Sequence, residues 1–326
     1  AGNAFTVAAP ADGSGDGAHA YEFRALDGAG NASATGACTV RIDTQGPVVG
    51  DDGDAYWHNS AVTVHLTATD AGSGVHQLLY RLQGASQWTG AAAASASVSV
   101  AAPTDGLPHS YVYEYTATDN LGTAGATRTF TVDMDTRMPN TILSGLPATS
   151  WTNKPVLLTY TATPGDGAPI VRTEYSRDGG STWTGWAAGT ALAIADPGET
   201  TILYRSVNAT GRVEDPARST TVRIDTSRPG CLALKNVTVK AKKKAKLRYK
   251  ITDAAPTCGT AKVLITIKKG RKIKKTIAVA VAKVNLTCCC TFKVTLKKGS
   301  YKWTVSAVDA AGNAQTKTST KKLVVK

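Results

Sequence analysis

The chain has 326 residues, room for two to four domains, and its composition is dominated by Ala, Thr, Val, Ser and Gly, with 2 Met and 4 Phe. No stretch sets apolar residues at helical spacing between caps, and the longest nearly apolar segment, residues 277–284, is a strand's length where a membrane helix needs about 20 residues, which excludes a helical span and favours strands and turns. The net charge of +13 divides unevenly, with 12 basic and 22 acidic side chains in residues 1–226 against 25 and 2 in residues 227–326, so the last hundred residues are expected to attract polyanions and repel their own copies.

From the N-terminus, AGNAFTVAAP shows no basic start or apolar core of a signal peptide, as expected of a mature chain. Residues 7–13 (VAAPADG) match residues 100–106 (VAAPTDG), which puts position 1 inside a repeat. About 45 residues of that first sandwich are then expected upstream, in a longer chain or as strands donated by another subunit. Residues 12–17 (DGSGDG) open like a calcium loop, with Asp12 and Asp16 as ligand candidates, but Phe23 stands where the closing glutamate belongs. Asp51, Asp52 and Asp54, beside the next joint, are a second calcium candidate; an ordinary acidic turn is the simpler account of either group. No other cofactor is expected.

Residues 21–30 (YEFRALDGAG) begin the main repeat, which returns at 113–122 (YEYTATDNLG), 202–211 (ILYRSVNATG) and 303–312 (WTVSAVDAAG), at intervals of 92, 89 and 101 residues. Large apolar residues two apart read as a half-buried strand, and Asp or Asn followed three residues later by Gly reads as a turn, since Gly accepts a positive φ. The joints are marked by RIDT (41–44), DMDT (133–136) and RIDT (223–226), followed by Pro47, Pro139 and Pro229. Trp57, Tyr80 and Trp88 are matched by Trp151, Tyr175 and Trp183, with alternating runs at 62–68 and 156–162 between them. The Trp residues read as core and edge packing rather than a ligand platform. About seven short strands in each ~90 residues fit a two-sheet sandwich. The expected organisation is therefore all-β, tandem immunoglobulin-like sandwiches with the first incomplete: half a repeat at 1–46, repeats at 47–136 and 137–227, and a basic domain at 228–326.

The ATDxxG strand and turn, the RIDTxxP joint and the EYSRDGGSTWTGW hairpin at 174–186 resemble the tandem bacterial Ig-like repeats of large secreted proteins of Gram-positive, especially actinobacterial, type. Residues 228–326, from KKKAKLRYKITD to YKWTVSAVDAAGNA, look like the lysine-rich Ig-like module that often closes such chains. The resemblance implies spacers, surface display and sometimes adhesion, and brings no catalytic residues to transfer.

The six cysteines lack paired metal spacing, so zinc is disfavoured and disulfides are expected of a secreted chain. Alternation through Phe292 turns Cys288 and Cys290 inward and Cys289 outward; the favoured bridge is Cys231 with Cys258, a bridge from either to Cys288 or Cys290 is the alternative, and Cys289 is the odd thiol. Lys242, Lys243, Lys244, Lys268, Lys269, Arg271, Lys272, Lys274 and Lys275 fall at strand ends and turns. They serve either as solvated edges that block strand pairing or as a contact for an anionic wall polymer, a glycan or an acidic face of another copy. Nucleic acid is the weaker partner because no aromatics interleave the runs. No Gly-x-Ser-x-Gly, phosphate loop or His-Glu-x-x-His is present. The function expected is a non-catalytic extracellular stalk, adhesive or filament element; the alternative is a glycan- or wall-polymer-binding accessory module of a larger secreted protein or enzyme.

Overall fold

The computed structural model describes residues 4–165 and 167–326. The described residues contain strands and turns and no helix. A two-stranded antiparallel ribbon comes first, β1 (Gly17–Phe23) with β2 (Gly36–Ile42). Eight strands follow: β3 (Val48–Asp51), β4 (Trp57–His58), β5 (Val62–Thr69), β6 (Val75–Leu82), β7 (Thr89–Ala91), β8 (Ser95–Val100), β9 (His109–Asp119) and β10 (Arg128–Met134). They form one sheet in the order β3-β5-β8 and another in the order β4-β10-β9-β6-β7. In β5 Val64, Leu66 and Ala68 are buried while Thr63, His65 and Thr67 are exposed, the period of two expected of a strand with one face on a core. Val49, Val64, Leu66 and Val98 from one sheet meet Leu78, Tyr115, Val132 and Met134 from the other.

The next sandwich is built from β11 (Asn140–Ser144), β12 (Val156–Thr163), β13 (Ile170–Ser176), β14 (Thr184–Gly185), β15 (Leu192–Ile194), β16 (Gly198–Asn208) and β17 (Arg218–Ile224). Its sheets are β11-β12-β15 and β14-β13-β16-β17, and Trp186 is buried with Leu158, Ile202 and Ile224 in its core. The last comprises β18 (Gly230–Ala233), β19 (Val237–Val239), β20 (Lys244–Thr252), β21 (Thr260–Lys269), β22 (Lys272–Lys283), β23 (Thr287–Lys293), β24 (Gly299–Asp309) and β25 (Ser319–Val325). Sheets β18-β20-β23 and β19-β25-β24-β21-β22 enclose Trp303, Tyr249, Leu247 and Ile265. Apart from the parallel edge pairs β4–β10 and β19–β25 the sheets are antiparallel, and such sheets paired over a core fed by alternate residues are immunoglobulin-like sandwiches.

By compactness the chain forms two units. One holds the described residues of Ala1–Pro139, Pro164–Val171 and Val207–Val213; the other holds Asn140–Thr163, Arg172–Ser206 and Glu214–Lys326.

The paired tryptophans are not the core. Trp57, Trp88, Trp151 and Trp183 are half-buried, and the rings of Trp88 and Trp183 lie under the guanidinium groups of Arg81 and Arg205, 4.3 and 3.7 Å from the ring centres. The fully enclosed indoles are those of Trp186 and Trp303. The expected Cys231–Cys258 bridge is corrected too: all six cysteines are free thiols. Cys231 is buried on β18 opposite Ile251, whereas Cys258 lies in the loop before β21. There its amide donates to Asp225 and its sulfur accepts from the Ala310 amide. Cys288 and Cys290 do face inward with Cys289 exposed, but they carry no bridge.

Candidate functional site

Two charged features stand out, a basic end of the last sandwich and a set of carboxylates at the joints. Lys244 opens β20 opposite Lys293, the last residue of β23. The turn before β20 is tied to that edge by the Lys242 amide donating to Val294, and the Ala241 amide donates to Lys326. Lys268 and Lys269 end β21, Arg271 makes the turn, and Lys272, Lys274 and Lys275 open β22. Lys268 pairs in register with Lys302 near the start of β24, and the Tyr301 hydroxyl donates to the Lys297 carbonyl. All nine basic residues singled out from the sequence thus gather at one end of this sandwich, joined by Lys293, Lys297, Lys298 and Lys326. Among the described residues no carboxylate forms an ion pair with any of them. Lys275 sets its ammonium 5.8 Å from the Phe292 ring and Lys269 the same distance from Tyr301, so their stems cover apolar surface while their charges stay wet.

The carboxylates expected to bind calcium lie apart, each with its own partner. Asp12 accepts from the Ser14 amide, and Asp16 from the Thr44 amide and hydroxyl. Asp51 takes the Gly53 amide and the Tyr115 hydroxyl, Asp52 the His65 amide, and Asp54 the Tyr56 amide and His58 ring.

The acidic side chains that do converge are others. Asp43, Asp70 and Asp119 form one group and Asp225, Asp253, Asp309 and Cys258 another, with ligand atoms in each within 4.8 Å of one another. Both groups are built alike. In the first, Asp43 accepts from the Gln45 and Ser73 amides; in the second, Asp225 accepts from the Ser227 and Cys258 amides. Asp119 and Asp309 each cap their turn, taking the amides of Thr123 and Asn313 at 2.7 and 2.8 Å. Asp70 and Asp253 follow Thr69 and Thr252, which pair with the first residues of β3 and β18. At Gly72 a Cβ would lie 2.3 Å from the Asp43 carboxyl carbon, so only glycine lets the loop close on it.

In each group one buried carboxylate oxygen makes no hydrogen bond of ordinary geometry: Oδ2 of Asp119, 1% exposed, near a Ser73 hydroxyl that is itself buried and unpaired, and Oδ1 of Asp253, 7% exposed. Such an orphan is costly unless something else satisfies it. Burial pushes the Asp253 carboxyl above its ordinary pKa and Asp225 and Asp309 reinforce this, with the Thr257 hydroxyl opposing. Burial also raises Asp119, but the Thr123 and Leu121 amides together with the Ser73 and Thr123 hydroxyls outweigh it, so that its carboxyl lies below its ordinary pKa. Three close carboxylates with an unused oxygen suit a hard divalent cation; the Cys258 thiol adds a softer donor in the second group. A cleft of about 340 Å³, lined in part by Asp16, Asp43, Gln45 and Asp70, opens at the first group.

No family model matches the chain, and no curated protein matches it. Among solved structures it is similar to a tetra-tandem repeat from the extending region of a large adhesion protein, with 19% identity over 95% of this chain and 82% of that one, at a TM-score of 0.38. The fibronectin(III)-like modules of Clostridium thermocellum CbhA give 15% identity over 57% of this chain and 94% of theirs, TM-score 0.34. The FN1–FN3 domains of chicken CNTN1 give 12% over 86% and 98%, TM-score 0.26. At such values the sheets and cores of this chain, not the overlaps, carry the fold.

Sequence reasoning missed both carboxylate groups. Asp43, Asp119, Asp225 and Asp309 were visible as joint or turn residues. The available signal was that the joint Asp and the turn Asp recur together, so that a closed sandwich brings them to one end.

Proposed function

We infer that the chain is a non-catalytic structural repeat segment of an extracellular or surface protein, two of its joints cross-linked by divalent cation. The observation that carries this reading is the pair of orphaned carboxylate oxygens on Asp119 and Asp253, each in a group of three acids at the head of a sandwich. A cation there ties the segment that ends one repeat to two loops of the next. Thermal unfolding of the full chain tests it: calcium raises the midpoint relative to a chelator by several degrees, as expected for a ligand that binds only the folded state. Equal midpoints in calcium, magnesium and chelator would discard it.

A second reading is favoured by the basic end: an accessory module that anchors on an anionic wall polymer or glycan. Runs about 30 and 50 residues apart in sequence meet there, as a polyanion contact requires. Polyphosphate titrated onto the full chain is expected to bind at low salt and to lose at least about tenfold in affinity by ~0.5 M NaCl. A variant with Lys268, Lys269 and Lys272 changed to Glu is expected to bind weakly at any salt. Binding that ignores both salt and the variant would rule out anchoring by charge.

A further inference from the structure

The joint between the two carboxylate groups has the same backbone and a different centre. Asp135 stands where Asp43 and Asp225 stand, accepting from the Arg137 amide at 2.9 Å and from the Ala168 amide at 2.9 Å. These are the counterparts of the Gln45 and Ser73 amides in one group and the Ser227 and Cys258 amides in the other. Gly167 corresponds to Gly72, since a Cβ there would lie 1.9 Å from Asp135 Oδ2. Two of the three acids nevertheless have no counterpart among the described residues. Thr163, paired with the first residue of β11, is followed by Pro164 where Asp70 and Asp253 follow their threonines. Asn208 takes the capping place of Asp119 and Asp309, accepting from the Arg212 amide and donating to the Arg137 carbonyl. In their stead is a guanidinium: Arg137 Nε and one Nη lie 3.0 and 3.2 Å from the two oxygens of Asp135, whose carboxyl is 1% exposed. At the other two joints the residue in this place is Gln45 or Ser227.

We propose that the chain binds two divalent cations, at Asp43/Asp70/Asp119 and at Asp225/Asp253/Asp309, and that Arg137 fills the third equivalent position with its own positive charge, leaving that joint indifferent to metal. The proposal rests on the cation reading of the two outer joints and adds the count and the exception. Among the described residues this centre keeps one carboxylate where the other two hold three, and gains a guanidinium. A planar fork also satisfies both oxygens of Asp135 at once, as a bidentate pair does. A divalent ion would be repelled by that guanidinium and would find a single carboxylate beside it among the residues described above.

Hydrogen exchange on the full chain separates the possibilities without a variant. Calcium, compared with chelator, is expected to slow exchange of the Ser73 and Cys258 amides about tenfold or more and to leave Ala168 unchanged. Calorimetric titration with calcium is expected to count two ions, falling to one in Asp119→Asn and in Asp309→Asn. Arg137→Gln is expected to speed exchange at Ala168 about tenfold in calcium and chelator alike, with Arg137→Lys recovering part of the protection. Slowing at all three amides with a count of three would overturn the role of Arg137 while leaving the cation reading intact. No slowing anywhere would remove the cation reading itself. Slowing at a single outer joint would overturn the count, and unchanged exchange at Ala168 in Arg137→Gln would overturn the guanidinium's part.

Discussion

Residues 1–226 hold eleven arginines and one lysine, whereas residues 227–326 hold three arginines and 22 lysines. In the first region six of the eleven guanidinium groups pair with the protein's own carboxylates among the described residues. Arg81 meets Glu114 at 2.8 Å, Arg205 meets Glu174 at 2.7 Å, Arg218 meets Glu214 at 2.6 Å, and Arg137 meets Asp135. Two of these arginines also lie over tryptophan rings. In the second region no ion pair forms among the described residues, and its only acids, Asp253 and Asp309, sit at the joint away from the lysine-rich end. A rigid planar fork suits buried pairing and stacking, while a mobile, strongly hydrated ammonium suits a surface that stays wet. One region uses positive charge to build itself, and the other leaves it facing outward.

The largest effect expected from that contrast is at Arg205. Removing it as Arg205→Ala leaves the Glu174 carboxylate, 11% exposed, with Arg172 alone at 3.3 Å and uncovers the Trp183 ring. A loss of about 2–3 kcal/mol is expected in urea unfolding, because stranding one partner of a buried pair costs its desolvation. Arg205→Lys keeps the charge without the fork or the stacking and is expected to recover only part. Lys244→Ala, at the exposed start of β20, is expected within about 0.5 kcal/mol of the parent. If Arg205→Ala were as silent as Lys244→Ala, the distinction between building and outward charge would fail.

A smaller effect is expected from salt. Uncompensated lysines at one end of a sandwich repel each other, and ~0.5 M NaCl screens charges beyond a few ångströms. The unfolding of the last sandwich, followed through Trp303, the only tryptophan in residues 228–326, is expected to gain about 1 kcal/mol on going from low salt to ~0.5 M NaCl. The arginine-paired sandwiches are expected to gain less, since their attractive pairs are screened too. An equal shift in both regions would mean that the lysine-rich end carries no self-repulsion worth relieving.

How far the sequence reaches is clear from particular residues. Alternation in 62–68 placed Val64, Leu66 and Ala68 inside, and the same parity placed Cys290 in and Cys289 out, because period two is a property of the strand alone. The lysine runs were also correctly sited at strand ends and turns. What the sequence did not show was convergence. Asp43, Asp70 and Asp119 each read as a local turn or joint residue, and their meeting depends on which sandwich end three separate loops share. The DGSGDG stretch had calcium-like spacing, yet Asp12 and Asp16 are used by the Ser14 amide and by Thr44. The acids that converge do so from separate loops rather than within one stretch of sequence. The gathering of nine basic residues at one end was hidden for the same reason.

The smallest effect concerns the thiols, five of which lie in the basic region. As none is bridged, a reducing agent is expected to move neither region's unfolding midpoint, whereas loss of a structural disulfide would cost about 2–5 kcal/mol. Alkylation sorts the same residues by position. Cys38 and Cys289 are exposed and are expected to react with a maleimide in the folded chain. Burial pushes the Cys231 thiol up to about 12, so it holds almost no thiolate at neutral pH and is expected to react only on unfolding. Cys290, buried on β23 with its thiol also raised by burial, is expected to behave like Cys231. Mass spectrometry of the alkylated chain counts and locates the labels. Rapid labelling of Cys231 would show that the β18 edge opens readily. A fall in the basic region's midpoint on reduction would instead reveal a cross-link holding its unpaired lysines together.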